Sequence, residues 1–118
     1  MTDKRLPREE WTTVLARLSE ENAGRPVDVR VVNTDVGDQA LAEDEPLVAI
    51  DADLEDGIDD AIIITVGRDD DIFGHTVNDP VNIWLRYDDE GRLLDIDIES
   101  REEGRTLIEF KDVPRVVA

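Results

Sequence analysis

The spacing of hydrophobic positions changes once along this chain. Trp11, Val14, Leu15 and Leu18 recur at i, i+3, i+4 and i+7, which places them on one helical face. Pro7 suits a first helical position, where its missing N–H would have no partner. Glu9 and Glu10 follow in the first turn, where the helix dipole favours negative charge. Gly24 and then Pro26 stop the pattern. A helix is predicted over about 7–23. Its stripe is narrow, so it covers a sheet rather than forming a core alone.

Beyond Gly24 the period is two. Val27, Val29 and Val31 alternate with Asp28 and Arg30. Strands are predicted over about 27–33, 39–42, 47–53, 61–67, 74–78, 81–87, 92–99 and 105–111, with a turn at Glu43-Asp44-Glu45-Pro46. The run Ala61 to Val66 is apolar at successive positions and suits a strand covered on both sides. The helix supplies one cover; a second sheet, a curled edge or another subunit supplies the other.

The last third specifies a register. Closing a turn at Asp88-Asp89-Glu90-Gly91 pairs Tyr87 with Arg92, Leu85 with Leu94, Ile83 with Ile96 and Val81 with Ile98. A one-residue slip would mix the faces. The next turn, Ser100 to Gly104, pairs Ile98 with Thr106, Ile96 with Ile108 and Leu94 with Phe110. The expected fold is therefore α+β. One domain spans 1–118, with an N-terminal amphipathic helix on a mainly antiparallel, curled or barrel-like sheet of six to seven strands.

Charge changes the picture. Thirty-one acidic against thirteen basic residues give a formal net charge of −18, and only Lys4 and Lys111 among the bases are lysines. Such a surface repels itself in dilute buffer and becomes tolerable where molar salt shortens the Debye length to about 3 Å. The charge reads as adaptation to a salt-saturated cytoplasm, with a halophilic archaeon as the expected source and hydrated salt cations as diffuse counterions. It argues against nucleic acid and anionic membranes, which both attract a basic face. Hydrophobic residues make up 40% of the chain, so acidity here is not a mark of disorder. There is no cysteine. No apolar run approaches the roughly 20 residues of a membrane span, and the N-terminus has no signal-like segment, so a soluble cytoplasmic protein is expected.

The acids cluster at expected turns: Glu43 to Glu45, Glu55-Asp56, Asp59-Asp60, Asp69 to Asp71 and Asp88 to Glu90. A hydrated surface explains each. The competing reading is a cation site at Asp51, Asp53, Glu55 and Asp56, but glycine comes one residue late for an EF-hand and Ile62 stands where the twelfth-position glutamate belongs. Asp95, Asp97 and Glu99 alternate along an outward strand face, as exposed strand residues do anyway. No metal ligand set, cofactor or catalytic residue is assigned.

His75 is the lone histidine and lacks an evident nucleophile partner. A histidine held near a strand end is one reading. The other is a polar pocket, because Arg68, His75, Asn78 and Asn82 form the most varied polar group in the chain. Trp84 is expected on the outward face with Leu93 and Leu107, either as a partner surface or under a cover from the same chain.

Leu6-Pro7-Arg8-Glu9-Glu10-Trp11, Ile64-Thr65-Val66-Gly67-Arg68, Gly74-His75-Thr76-Val77, Pro80 and Ile83-Trp84 resemble a small acidic family from haloarchaea and some bacteria. That family is a domain of unknown function, and the resemblance implies no catalytic residues. Two function classes follow. One is a non-enzymatic module for protein interaction or homo-oligomer formation. The other is a small-molecule-binding protein or enzyme built around Arg68, His75 and Asn78.

Overall fold

The computed structural model describes residues 1–33, 35, 37–54 and 59–113. Among the described residues, eight strands form one antiparallel sheet: β1 Thr2–Arg5, β2 Pro26–Asn33, β3 Gly37–Asp53, β4 Ala61–Arg68, β5 Asp71–Asn78, β6 Pro80–Tyr87, β7 Leu93–Ser100 and β8 Gly104–Phe110. Their spatial order is β1-β6-β7-β8-β2-β3-β4-β5, which leaves β1 and β5 as edges. One helix, α1 Trp11–Asn22, follows a single 3-10 turn at Arg8–Glu10.

This corrects the expected α+β arrangement with a barrel-like sheet of six to seven strands. The fold is mainly β, and its eight-stranded sheet is open. Two local causes explain the difference. Thr2-Asp3-Lys4-Arg5 has no apolar alternation, so nothing marks β1 as a strand, yet it pairs with β6 from Thr2↔Tyr87 to Arg5↔Trp84. Glu43 to Pro46 has turn chemistry but lies inside β3, where Asp44 takes a positive φ of 53° and accepts being bent rather than reversed. Asp28 Oδ1 accepts the Asp44 N–H at 2.8 Å. The two strands expected at 39–42 and 47–53 are thus one bent strand. Its first half pairs with β2 and its second half with β4.

The β6–β7 register also differs. Ile83 pairs with Ile98, Leu85 with Ile96 and Tyr87 with Leu93. At Ile83 and Leu85 this is a slip of two against the expected pairing, which keeps those side chains on their face, while at Tyr87 the shift is one. Asp88 causes it. Its Oδ1 accepts the N–H groups of Glu90 at 2.9 Å and Arg92 at 2.8 Å, closing a longer loop. A bulge between Arg86 and Tyr87 then turns both Leu93 and Leu94 into buried positions. The β7–β8 pairing is as expected, with Ile96↔Ile108 and Ile98↔Thr106.

The inner face carries the core: Val27, Val29, Ile50, Ile62, Ile64, Ile83, Leu85, Ile96, Ile98, Ile108 and Phe110 are all at most 2% exposed. Leu6, Trp11, Leu15 and Leu18 close over it. The helix is pinned to β3 by Ser19, whose Oγ accepts the Ile50 N–H at 2.8 Å. Trp11 Nε1 donates to Leu6 O at 2.9 Å, so the indole is both buried and satisfied. On β4, Ile62, Ile64 and Val66 enter this core, while Ile63 and Thr65 on the outer side are half-buried. The outer side of β4 is therefore not a second core.

Candidate functional site

The four polar residues expected to share a pocket do not meet. Arg68 stands opposite Asp71 at the closed end of the β4–β5 hairpin, and Asn78 stands opposite Ala61 at the open end. Seven residues of strand separate these ends, roughly 23 Å at ~3.3 Å per residue. Asn78 is tied to the β7–β8 turn: its N–H donates to Glu103 Oε1 at 2.8 Å, and its carbonyl accepts from Ser100 Oγ at 2.7 Å. His75 lies on the inner face, half-buried, with Nε2 at 3.5 Å from Thr106 Oγ1. Burial pushes its pKa below the ordinary value, opposed by the Glu103 carboxylate. Asn82 lies on β6 and accepts from Arg5 Nη1 at 3.4 Å.

The outer face of the β1–β6–β7–β8 half is a lattice of opposite charges. Asp97 is paired with Arg105, and Asp95 lies 3.4 Å from Arg86; both aspartate side chains are 6% exposed. Glu99 accepts from Trp84 Nε1 at 2.7 Å. These acids face guanidinium and indole groups, and no group of three potential metal ligands is found among the described residues. Of the other acidic set, Glu55 and Asp56 lie outside the described residues. Trp84 and Leu107 are half-buried on this face, whereas the bulge places Leu93 in the core. A shallow cleft of about 310 Å³ beside Trp84 is lined by Arg86, Asp95, Asp97 and Arg105.

A larger cleft, about 570 Å³, lies between the end of α1 and the β6–β7 loop and was not legible in the sequence. Its arginines are already engaged. Arg25 reaches Asp112 at 2.7 Å and lies 4.1 Å over the Phe110 ring, and Arg92 reaches Asp88 at 2.8 Å. Hydrogen bonds from these arginines and the local backbone hold the Asp88 and Asp112 carboxyls below their ordinary range, led at Asp88 by the Arg92 N–H and at Asp112 by the Arg25 side chain. The cleft works as a latch on the chain after β8.

The other end of the sheet differs in kind. β5 has a single charged residue, Asp71, in eight. It is an edge strand, and Ile72 and Phe73 are 50% and 42% exposed. Its outer side continues a smooth strip with Ile63 and Thr65 of β4 and Thr76 and Gly74 of β5. The signal was present in the sequence as a gap in the acidity between Asp71 and Asp79. That gap alone does not mark an exposed edge, because an exposed edge cannot be told from a covered one without the strand order.

A model described as "Family of unknown function (DUF5335)" matches residues 2–116. The chain belongs to this family. An "Uncharacterized protein" of Aquifex aeolicus (strain VF5) is 27% identical over 111 residues, covering 94% of each chain. No solved structure matches the chain. The relative is bacterial, so the expected haloarchaeal source rests on the charge alone. In this member of DUF5335, the candidate functional feature is the edge strand β5, with its single charge at Asp71, rather than a polar pocket.

Proposed function

We propose that this chain is a non-enzymatic interaction module of a salt-rich cytoplasm, and that it acts by adding a partner strand to β5. The observation that carries the reading is the contrast between β5 and its surroundings. In a chain of net charge −18, eight consecutive edge residues hold one acid and expose Ile72 and Phe73. Edge strands are usually blunted by charge, proline or shortness, because their open backbone groups recruit other strands. An edge left smooth is suited to strand addition, in which backbone hydrogen bonds give affinity and alternate side chains give selectivity. The separation of Arg68, His75 and Asn78 along the hairpin disfavours the enzymatic alternative.

Two measurements test this reading. Wild type and Gly74→Pro, each immobilised in molar KCl, are compared for the proteins they retain; partners held by wild type and lost by the variant are expected. Identical retained sets would overturn the role of β5. The salt-rich setting is tested by thermal melts. The melting temperature is expected to fall by several degrees as KCl is lowered from molar to millimolar, and to the same extent in NaCl, because screening is lost. A melting temperature indifferent to salt would remove the halophilic part.

A further inference from the structure

We infer that the strand added to β5 is β5 of a second copy, paired antiparallel about a two-fold axis through Gly74; this rests on the strand-adding role proposed above. The direction of the backbone groups is set at Asn78. Its N–H and carbonyl point away from β4, toward Glu103 and Ser100. Alternation along a strand then directs the N–H and carbonyl groups of Thr76, Gly74 and Ile72 to the same open side. Three residues therefore offer pairing groups, and the fourth, Asn78, is already occupied.

Only one two-fold register uses all three. With the axis at Gly74, Ile72 meets the second copy's Thr76, Gly74 meets Gly74, and Thr76 meets Ile72. Each such pair exchanges two hydrogen bonds, about six in all. Moving the axis to Phe73 sets Thr76 against Asp70 of the turn. Moving it to His75 sets Ile72 against the occupied Asn78. Either shift keeps two of the three pairs.

The side chains agree with the central register. Phe73 faces the second copy's His75 on the inner side, and Ile72 faces Thr76 on the outer side, both favourable cross-strand combinations. Within β5 its single acid, Asp71, faces Val77, so no acid opposes an acid along the paired strands; the acids Asp69, Asp70 and Asp79 lie beyond the three hydrogen-bonded pairs. That matters for two bodies of charge −18 each, whose remaining repulsion molar salt screens. Glycine at the axis leaves the two backbones unobstructed: a Cβ built there meets nothing within 4 Å in one copy. Two open sheets become one continuous sheet.

Sedimentation and light scattering on the purified full chain in molar KCl test the inference. The expected mass is about twice the 13.3 kDa of one chain. Gly74→Pro removes a central donor whose N–H points away from β4, and proline is tolerated there in an edge strand. Ile72→Lys places a charge on an exposed side chain. Both variants are expected to sediment as monomers with far-ultraviolet circular dichroism like that of wild type. Because the chain has no cysteine, Phe73→Cys and His75→Cys chains can be mixed. The mixture is expected to cross-link faster than either variant alone. A monomeric wild type that still retains Gly74-dependent partners would overturn self-pairing and leave strand addition standing. A dimer that persists in both Gly74→Pro and Ile72→Lys would overturn both. A dimer whose mixed cysteine chains gain no rate would overturn the register.

Discussion

β1 and β5 are both edges of the same sheet, and each carries a row of backbone groups that no neighbouring strand pairs. β1 is four residues long, exposed throughout, and reads Thr-Asp-Lys-Arg. β5 is eight residues long and reads Asp-Ile-Phe-Gly-His-Thr-Val-Asn. The first has the shortness and charge that discourage another strand from docking. The second is twice as long and carries one charge, Asp71, at its start. The same division runs across the outer face: charge lattice beside β1, smooth strip beside β5. A shared need for solubility would have treated both edges alike. Their difference is what makes β5 a candidate for function rather than an accident of an acidic surface.

The comparison assumes that one core supports both halves, and the largest expected effect tests it. Ile96 lies in the charged half and Ile64 in the smooth half, at 0% and 1% exposure. Truncating either to alanine should cost about 2–5 kcal/mol in urea unfolding of the monomer, the range for a buried aliphatic. Similar costs would mean that the edges differ only in what they present to solvent. A near-neutral Ile64→Ala would mean that β4 and β5 are loosely held, and an exposed β5 would then reflect weak packing.

A smaller effect separates the two outer faces. Asp97→Ala removes the partner of Arg105 from a buried position. Arg105 is 55% exposed, so water replaces much of the pair, and the expected loss is about 1 kcal/mol. Phe73→Ala should change monomer stability by no more than about 0.5 kcal/mol, as for a surface substitution. Yet it should weaken self-association, as loss of an aromatic contact does. Urea melts of dilute protein beside sedimentation at high concentration check both. If Phe73→Ala destabilises the monomer more than Asp97→Ala does, the ring belongs to the fold and not to an interface.

Much of this division was legible from residues alone, and the failures have specific physical causes. The helix face and the Ile96↔Ile108 pairing follow from periodicity, because each buries one consistent face; the apolar run of β4 predicts cover on both sides, but Ile62, Ile64 and Val66 are buried while Ile63 and Thr65 on the outer side are only half-buried. The β6–β7 register was missed by two residues because Asp88 caps a longer loop through its side chain, which a count of turn residues does not weigh. β1 left no hydrophobic trace, and β3 hid behind acidic turn chemistry. The pocket expected around Arg68, His75 and Asn78 failed because sequence proximity on a hairpin is length along a strand, not convergence. The edge could be found only once the strand order was known, since an uncharged strand is equally suited to a sheet centre.

The smallest expected effect is a pH dependence that distinguishes the halves. His75 sits on β5 with its pKa pushed below the ordinary 6.5 by burial, the larger influence, against the opposing pull of Glu103. In the unfolded chain the imidazole recovers its ordinary value and binds more protons than in the fold. Stability therefore rises with pH through this window, is complete above about 6.5, and falls as pH drops below it. Asp88 and Asp112 behave oppositely in cause and lower in pH. Their carboxyls are held below an ordinary 3.8, so the stability they contribute is present above that value and is lost as acid titrates them. The β5 half should thus respond near neutrality and the latch beside α1 only in strong acid. His75 is half-exposed, so its share in a monomer should stay below about 1 kcal/mol. His75→Gln should flatten the dependence between pH 7 and 5 without moving the acid limb, as read by urea melts at constant molar KCl. Self-pairing sharpens this further. Pairing takes His75 deeper from water against the second copy's Phe73, so wild-type dimer should show a steeper slope there than the Gly74→Pro monomer. Equal slopes in the two would place His75 away from the paired edge and count against a two-fold axis at Gly74.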